Sequence, residues 1–510
     1  MGPRFPTATP PPTATPPRRR GDPLGGGALP SPLRSKHTLG YLFAAFALFA
    51  WQMRLHLGVP ASAKLRDPAQ TAVVFFESMF ELSALAEMPE LEQAARRESA
   101  LALERVRDEL SALVDTATDT ERAVEFARGA HELGIRALVL KLEAAGPEER
   151  RPLEDLLIAY AREQRQDDLL DAVLRVHLPG GPDAPEATLD DIDRDVPEAL
   201  FDAARPLVGS TSGDLLWAGL HRADGRVEAA ERIDEERAAR AQERRDRLQT
   251  LLAAGVAVFV LGGAAVVAFG VLGPAQQRLA RAELPPGDSA ALGLDLFARG
   301  LFGFQLLSVV LGEVLPREQG NQVLGAAGFL CWLPLVVLAV RYLGPAPGRF
   351  FGALGLRLSA GGFARLVPFA LALFTVQSVV FLLLRVLTGL APMGADWANG
   401  ATEVWLLGEP RARWGLAIEA ALWAPLFEEL AFRGLLFGAL RTRMTFTGAA
   451  LSSSLLFAAM HPYGPQGLIA LTALGLLWCW SYERTGSLWP SILAHALHNT
   501  ASLAVLALLR

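Results

Sequence analysis

At 510 residues the chain is longer than one ordinary domain, and with 51% apolar residues and a mean hydropathy of +0.27 it is too apolar for an ordinary soluble protein. A formal net charge of -6 implies no nucleic-acid partner, and the two cysteines, Cys331 and Cys479, sit in apolar runs that indicate neither a disulfide framework nor a Cys-based metal site. Residues 64–247 are rich in Glu, Asp and Arg, whereas long apolar runs separated by short polar turns follow from 249 onward. The expected fold is therefore all-α: a polytopic transmembrane helical bundle of about nine spans with an inserted soluble helical domain.

In chain order, residues 1–37 are Pro- and Thr-rich, with "PTATP" occurring twice before Arg18, Arg19 and Arg20. Such composition cannot build a core, so a disordered tail is expected. The first apolar run, "LGYLFAAFALFAW" at 39–51, marks an N-terminal membrane anchor over 38–57. It is short for a span and close in length to a signal-peptide core, and "ASA" at 61–63 resembles a cleavage site. Arg54 and His56 between the two argue for an uncleaved anchor. Either outcome leaves the next segment on the far side of the membrane.

That segment, 64–247, reads as helical. Leu103, Val106, Leu110 and Leu113 in "ALERVRDELSALV" recur at spacings of three and four and form one apolar stripe. Similar patterns at 119–143 and 150–161, broken at "GPEER" and "LPGGPDAP", suggest stacked helical hairpins. From 226 to 247 the sequence is mostly charged, with Glu236/Arg240 and Glu243/Arg247 at i,i+4, as in a solvated stalk helix running into the next span. A spacer or docking module without chemistry accounts for this region, and its docking partner is left open.

Eight further spans are expected near 249–273, 292–314, 323–341, 363–388, 415–440, 447–461, 465–482 and 487–509, the bundle helices covering 249–410 and a distinct core 415–509. With the tail inside, the inward loops hold Arg278, Arg281, Arg341, Arg349, Arg357, Arg441, Arg443 and Arg484, and the outward short loops only Arg317, Arg411 and Arg413. The positive-inside rule then gives a cytoplasmic N-terminus and an external C-terminus. The Ala- and Arg-rich composition points to a bacterial plasma (inner) membrane.

Within "FEELAFRG" (427–434), Glu428, Glu429 and Arg433 fall in an apolar stretch. Glu429 and Arg433 are i,i+4 neighbours in the favourable order, as a structural ion pair. On an α-helix of about 100° per residue, Glu428 lies about 100° from Glu429 and about 140° from Arg433, facing elsewhere. An ionisable side chain at bilayer depth costs about 2.5 to 3.5 kcal/mol and needs a partner or a wet cavity. Pro425, one turn earlier, leaves a backbone carbonyl unpaired. From 249 onward only His461, His495 and His498 are histidines, and from 415 only Glu419, Glu428, Glu429 and Glu483 are acidic. Phe457 lies one turn before His461, and His495 and Asn499 share a face with His498 beside it.

These residues resemble a known family. "EELAFRG" fits EExxxR, "FAAMH" fits FxxxH, "HALHN" fits HxxxN, and "GSLWPSILAHALHN" strengthens the likeness to the CPBP group (CAAX protease and bacteriocin-processing, Abi) of intramembrane proteases. The resemblance covers about 415–505; His498 is an addition to the pattern and residues 1–247 have no counterpart. It implies hydrolysis of a peptide bond in a membrane protein or peptide substrate, without a cofactor, Glu428 and His461 activating water and His495 and Asn499 stabilising the oxyanion. His498 and Phe457 are auxiliary candidates. Two other readings stay open: a zinc hydrolase with Glu428, His461 and His495 as ligands, although no HExxH is present, and a non-enzymatic immunity or scaffold protein.

Overall fold

The computed structural model describes residues 35–56, 65–83, 89–117, 119–163, 167–178, 196–272, 289–314, 330–343, 354–356, 360–387, 400–461, 463 and 465–510. Among these residues the regular elements are helical and no strand occurs. The helices are α1 (Ser35–His56), α2 (Pro68–Ser83), α3 (Pro89–Val114), α4 (Thr120–Ala144), α5 (Pro147–Glu163), α6 (Asp168–His177), α7 (Glu198–Ala204), α8 (Thr211–Ala223), α9 (Val227–Leu272), α10 (Ser289–Val314), α11 (Leu333–Leu343) and α12 (Ala360–Leu387). They are followed by α13 (Gly400–Leu407), an interrupted helix α14 over 410–441, α15 (Phe446–Ala459), α16 (Pro465–Thr485) and α17 (Trp489–Leu508). The Pro/Thr-rich tail up to residue 34, the "ASA" stretch and most of "LPGGPDAP" lie outside the described residues.

Four of these helices contain a stretch long and apolar enough to cross a membrane: Val227–Phe269, Ala291–Leu311, Leu366–Leu384 and Trp489–Leu508. His37–Ala50 and Phe446–Ala459 are shorter apolar helices. The span expected at 323–341 is described only in part, and the one at 415–440 is the interrupted helix with its buried charges. The N-terminal helix is bonded into the bundle. Buried Asp295 of α10 accepts from Thr38 Oγ1 at 2.8 Å and from Arg299 Nε at 2.8 Å, and the Arg299 guanidinium lies 4.6 Å from the centre of the Tyr41 ring. An acid in an apolar helix is thus fully paired.

In the helical domain the stripe of Leu103, Val106, Leu110 and Leu113 is buried against α2 and α4. α4 feeds two cores, Leu133, Ala137 and Leu140 facing the first and Ile135, Leu138, Val139 and Leu142 the second, which α6, α7 and α8 complete. A helix apolar nearly all round belongs inside a fold. The charged half of α9 is less solvated than its composition suggests. Glu243 and Arg247 pair within the helix, but Arg240 reaches Asp214 of α8 rather than Glu236. Asp214 is buried, and an unpaired buried carboxylate is far costlier than a lost surface pair.

The domain is seated on one end of the bundle. Leu406 of α13 and Leu509, just beyond α17, are buried in the same core as Leu103 and Leu133, with Trp405 and Leu506 packed against it. Glu403 accepts from the Asp67 backbone N–H at 2.7 Å. The last helix therefore runs from the domain's core at Leu509 back into the bundle.

Candidate active site

Helix α14 is not the regular α-helix that the spacing predicts. It is α-helical to Ile418, π-helical over Glu419–Trp423, α-helical over Ala424–Glu428, π-helical again over Glu429–Phe437, and closes as Gly438–Arg441. Pro425 supplies a physical reason for the first break. The Ala424 N–H bonds to the Glu419 carbonyl five residues back. In that register the next acceptor is Ala420, and the donor it calls for is Pro425, which has none. Asn499 of α17 fills the gap, its Nδ2 donating to the Ala420 carbonyl at 2.8 Å.

Glu429 and Arg433 form an ion pair of 2.8 Å with both side chains fully buried. The Arg433 guanidinium also lies 4.5 Å from the centre of the Phe457 ring and 4.8 Å from that of Trp478, a cation held by two aromatic faces. Gly475 makes room for it: a Cβ there would stand 2.8 Å from Ser454 and 3.1 Å from Arg433 Nη2.

His495 joins the two glutamates. Its Nδ1 lies 3.4 Å from Glu429 Oε1 and its Nε2 3.8 Å from Glu428 Oε2. On an α-helix Glu428 would face away from Glu429; the wider π-turn that begins at Glu429 turns each residue through a smaller angle, and both carboxylates converge on one imidazole. Nδ1 thus faces the Glu429–Arg433 pair and Nε2 faces Glu428. Glu428 keeps 15% of its side chain accessible whereas Glu429 has none. Of the two, Glu428 is the one a substrate or water can reach.

The imidazole of His495 is fixed from behind. It stacks on Trp478 with ring centres 4.3 Å apart and planes at 19°. Gln377 of α12, buried, accepts from Trp478 Nε1 at 2.8 Å and donates to the Ala494 carbonyl at 3.0 Å, next to His495 in sequence. Sequence reasoning missed Gln377; its signal was a lone amide in the apolar run "LFTVQSVVF". The start of α17 is held by residues 354–356: Gly355, at φ +66°, accepts through its carbonyl from Leu488 N–H and Ser487 Oγ, and the Leu356 carbonyl accepts from Trp489 Nε1.

His461 follows the end of α15. Its Nδ1 is 2.8 Å from the Phe457 carbonyl, which can only accept, so the proton sits on Nδ1 and Nε2 carries the lone pair. Phe457 packs on both histidines, its ring centre 4.8 Å from that of His461 and 6.3 Å from that of His495. His498 points elsewhere and packs edge-on against Phe381, ring centres 5.5 Å apart. Among the described residues no group of three His, Cys, Asp or Glu side chains converges as a metal set.

The four helices α14 to α17 thus gather the three motifs around one imidazole. Residues 410–501 match the family described as "Type II CAAX prenyl endopeptidase Rce1-like". The resemblance read from the three motifs holds, and the Rce1-like segment coincides with these helices. The chain is also 35% identical over 85 residues, 17% of its length, to the "Putative membrane peptidase YdiL" of Bacillus subtilis (strain 168). It spans about a third, 34%, of that relative's length. No solved structure matches the chain. Helices α1 to α13 lie outside the Rce1-like match.

Proposed function

We propose that the protein is an intramembrane endopeptidase that hydrolyses a peptide bond of a membrane or membrane-associated polypeptide with water activated by Glu428. The carrying observation is the approach of Glu428 Oε2 to His495 Nε2 at 3.8 Å, with the opposite ring nitrogen turned to the buried Glu429–Arg433 pair. Glu428 takes a proton from water as the hydroxide adds to the scissile carbonyl, and His461 holds the same water through Nε2. The proton passes to His495 Nε2, and the imidazolium donates a hydrogen bond to the tetrahedral oxyanion. Asn499 has two amide protons; one is bound to Ala420, and the second donates to the same oxyanion. Collapse of the intermediate breaks the C–N bond, and the His495 proton leaves on the amine.

The same reading keeps nine spans, a cytoplasmic N-terminus with an uncleaved anchor, residues 64–247 on the far side, and a bacterial inner membrane as the location. The test is the full chain in nanodiscs, with a transmembrane peptide in one arm and a prenylated CAAX peptide, the substrate type in the family's description, in the other. Cleavage by the wild type and none by Glu428→Gln is expected, with activity retained after exhaustive chelation. Stoichiometric zinc lost together with activity in His495→Ala, and wild-type activity restored by zinc, would replace the metal-free mechanism. A chain that cleaves neither substrate class nor membrane-proteome precursors is the result of a non-enzymatic scaffold.

A further inference from the structure

We propose that the junction between the helical domain and the bundle holds a second site, for a phosphate-bearing anion supplied by an anionic phospholipid headgroup. A cavity of about 210 Å³ lies where α2, α4, residues 206–211 and the charged half of α9 meet Leu406 and Leu509. It has room for a headgroup-sized anion and not only for a water molecule. Arg136, Arg237, Arg240, Arg244 and Arg510 line it, against the two carboxylates Glu77 and Asp214.

Both carboxylates are engaged with the protein itself. Glu77 accepts from the Ser212 N–H at 3.1 Å and from Ser212 Oγ at 2.6 Å, so the N-terminus of α8 is capped from within. Asp214 accepts from the Gly209 N–H at 2.7 Å and pairs with Arg240. Outside the cavity wall, Glu132 holds Arg136 at 2.8 Å, and Asp234 is shared between Arg222 and Arg237. Among the described residues these are six guanidiniums and four side-chain carboxylates. Arg136 is 1% exposed and an arginine does not deprotonate, so its charge in the cavity wall is permanent. The chain has three lysines among its 48 basic residues, so the choice of arginine carries no weight; the convergence on one enclosed volume does. Guanidiniums around a confined volume bind phosphate oxygens in pairs.

The position indicates the source. Helix α9 turns apolar at Leu251, seven residues after Arg244, about 10 Å at the rise of an α-helix. Leu406 and Leu509 belong to the end of the bundle on which the domain sits. A basic cavity at the edge of the apolar helices is in reach of the headgroup layer, where anionic lipids are attracted by clustered Arg.

The full chain in detergent is to be probed with dioctanoyl phosphatidylglycerol, dioctanoyl phosphatidylcholine and inorganic phosphate, binding being followed by native mass spectrometry and by hydrogen exchange of residues 206–214. Phosphatidylglycerol is expected to bind about tenfold more tightly than phosphatidylcholine and to protect 206–214. Arg237→Gln and Arg510→Gln, each checked by gel filtration, should weaken it about tenfold. Protection of the same segment by inorganic phosphate, with displacement of the lipid, keeps the site and assigns it to a soluble phosphate. Equal binding of both lipids with no protection of 206–214 in the wild type by any probe overturns the proposal, whether or not a variant folds.

Discussion

Asn499 on the last helix donates its side-chain amide to the backbone carbonyl of Ala420 on the motif-bearing helix at 2.8 Å, replacing the hydrogen bond that Pro425 cannot make. The residue that the family resemblance assigns to the oxyanion is also a tether between two helices, and the two roles can be separated. Asn499→Ala alone should cost about 1 to 3 kcal/mol of stability, from the unpaired carbonyl, and about 10² to 10³ in turnover. Pro425→Ala restores an N–H to the motif-one helix. In that background Asn499→Ala should lose most of its stability cost while the loss of turnover remains. A double-mutant cycle on thermal unfolding and on peptide cleavage measures both; equal recovery of turnover and stability would show that the tether is the whole role.

The two adjacent glutamates should respond differently to the same chemical change. Glu428→Gln removes a carboxylate that touches His495 and nothing cationic at ion-pair distance, so folded protein should stay near wild type while cleavage is abolished. Glu429→Gln strands Arg433 between its aromatic faces, and a broken buried pair costs about 3 to 5 kcal/mol. Membrane abundance and cleavage measured side by side decide it. Similar abundance of the two variants would remove the distinction between a reacting acid and a structural one.

Gln377 makes a prediction at a distance from the motifs. Gln377→Leu leaves Trp478 Nε1 and the Ala494 carbonyl without their partner and frees the ring on which His495 stacks. Stability should fall by about 1 to 3 kcal/mol for the indole N–H left unpaired, the Ala494 carbonyl keeping its place inside α17, and turnover should fall with little change in KM. Gln377→Glu, which keeps the acceptor for Trp478, should retain the tryptophan fluorescence that Gln377→Leu alters. Unchanged turnover in Gln377→Leu would make the amide a packing device only.

Much of the site was legible because its spacing is local. Glu429 and Arg433 sit one turn apart, and His495 and Asn499 share a face, so sequence distance alone brought each pair together. What was not legible depends on helix form and tertiary approach. No residue pattern fixes the π-turns that swing Glu428 and Glu429 onto one imidazole; Pro425 signalled an unpaired carbonyl but not its donor. Gln377 lies 117 residues from the carbonyl it bonds, beyond any periodicity. In the fold, the stripe of Leu103 to Leu113 read correctly as a buried face, since amphipathic spacing is again local. The seating of the domain on the bundle did not, because Leu406 and Leu509 look like ordinary residues of apolar helices until they meet a core more than 250 residues away.

The helical domain should lose stability in acid at one histidine. His177, at the end of α6, has 4% of its side chain exposed, and its Nε2 has no hydrogen-bond partner among the described residues. Burial lowers its pKa from 6.5 to about 4, and nearby Arg150 pushes the same way. Glu143, 4.0 Å from Nε2, opposes this only weakly, being a third exposed. The folded state holds a neutral imidazole that the unfolded chain protonates more readily. The stability is therefore fully present above pH 6.5 and is lost as pH falls toward 4, up to about 3 kcal/mol over the window. Hydrogen exchange of residues 168–177 should rise steeply between pH 6.5 and 4.5 after correction for intrinsic rates. His177→Gln should flatten that dependence at the expense of some stability at neutral pH. The same slope in the variant would place the acid sensitivity on other groups.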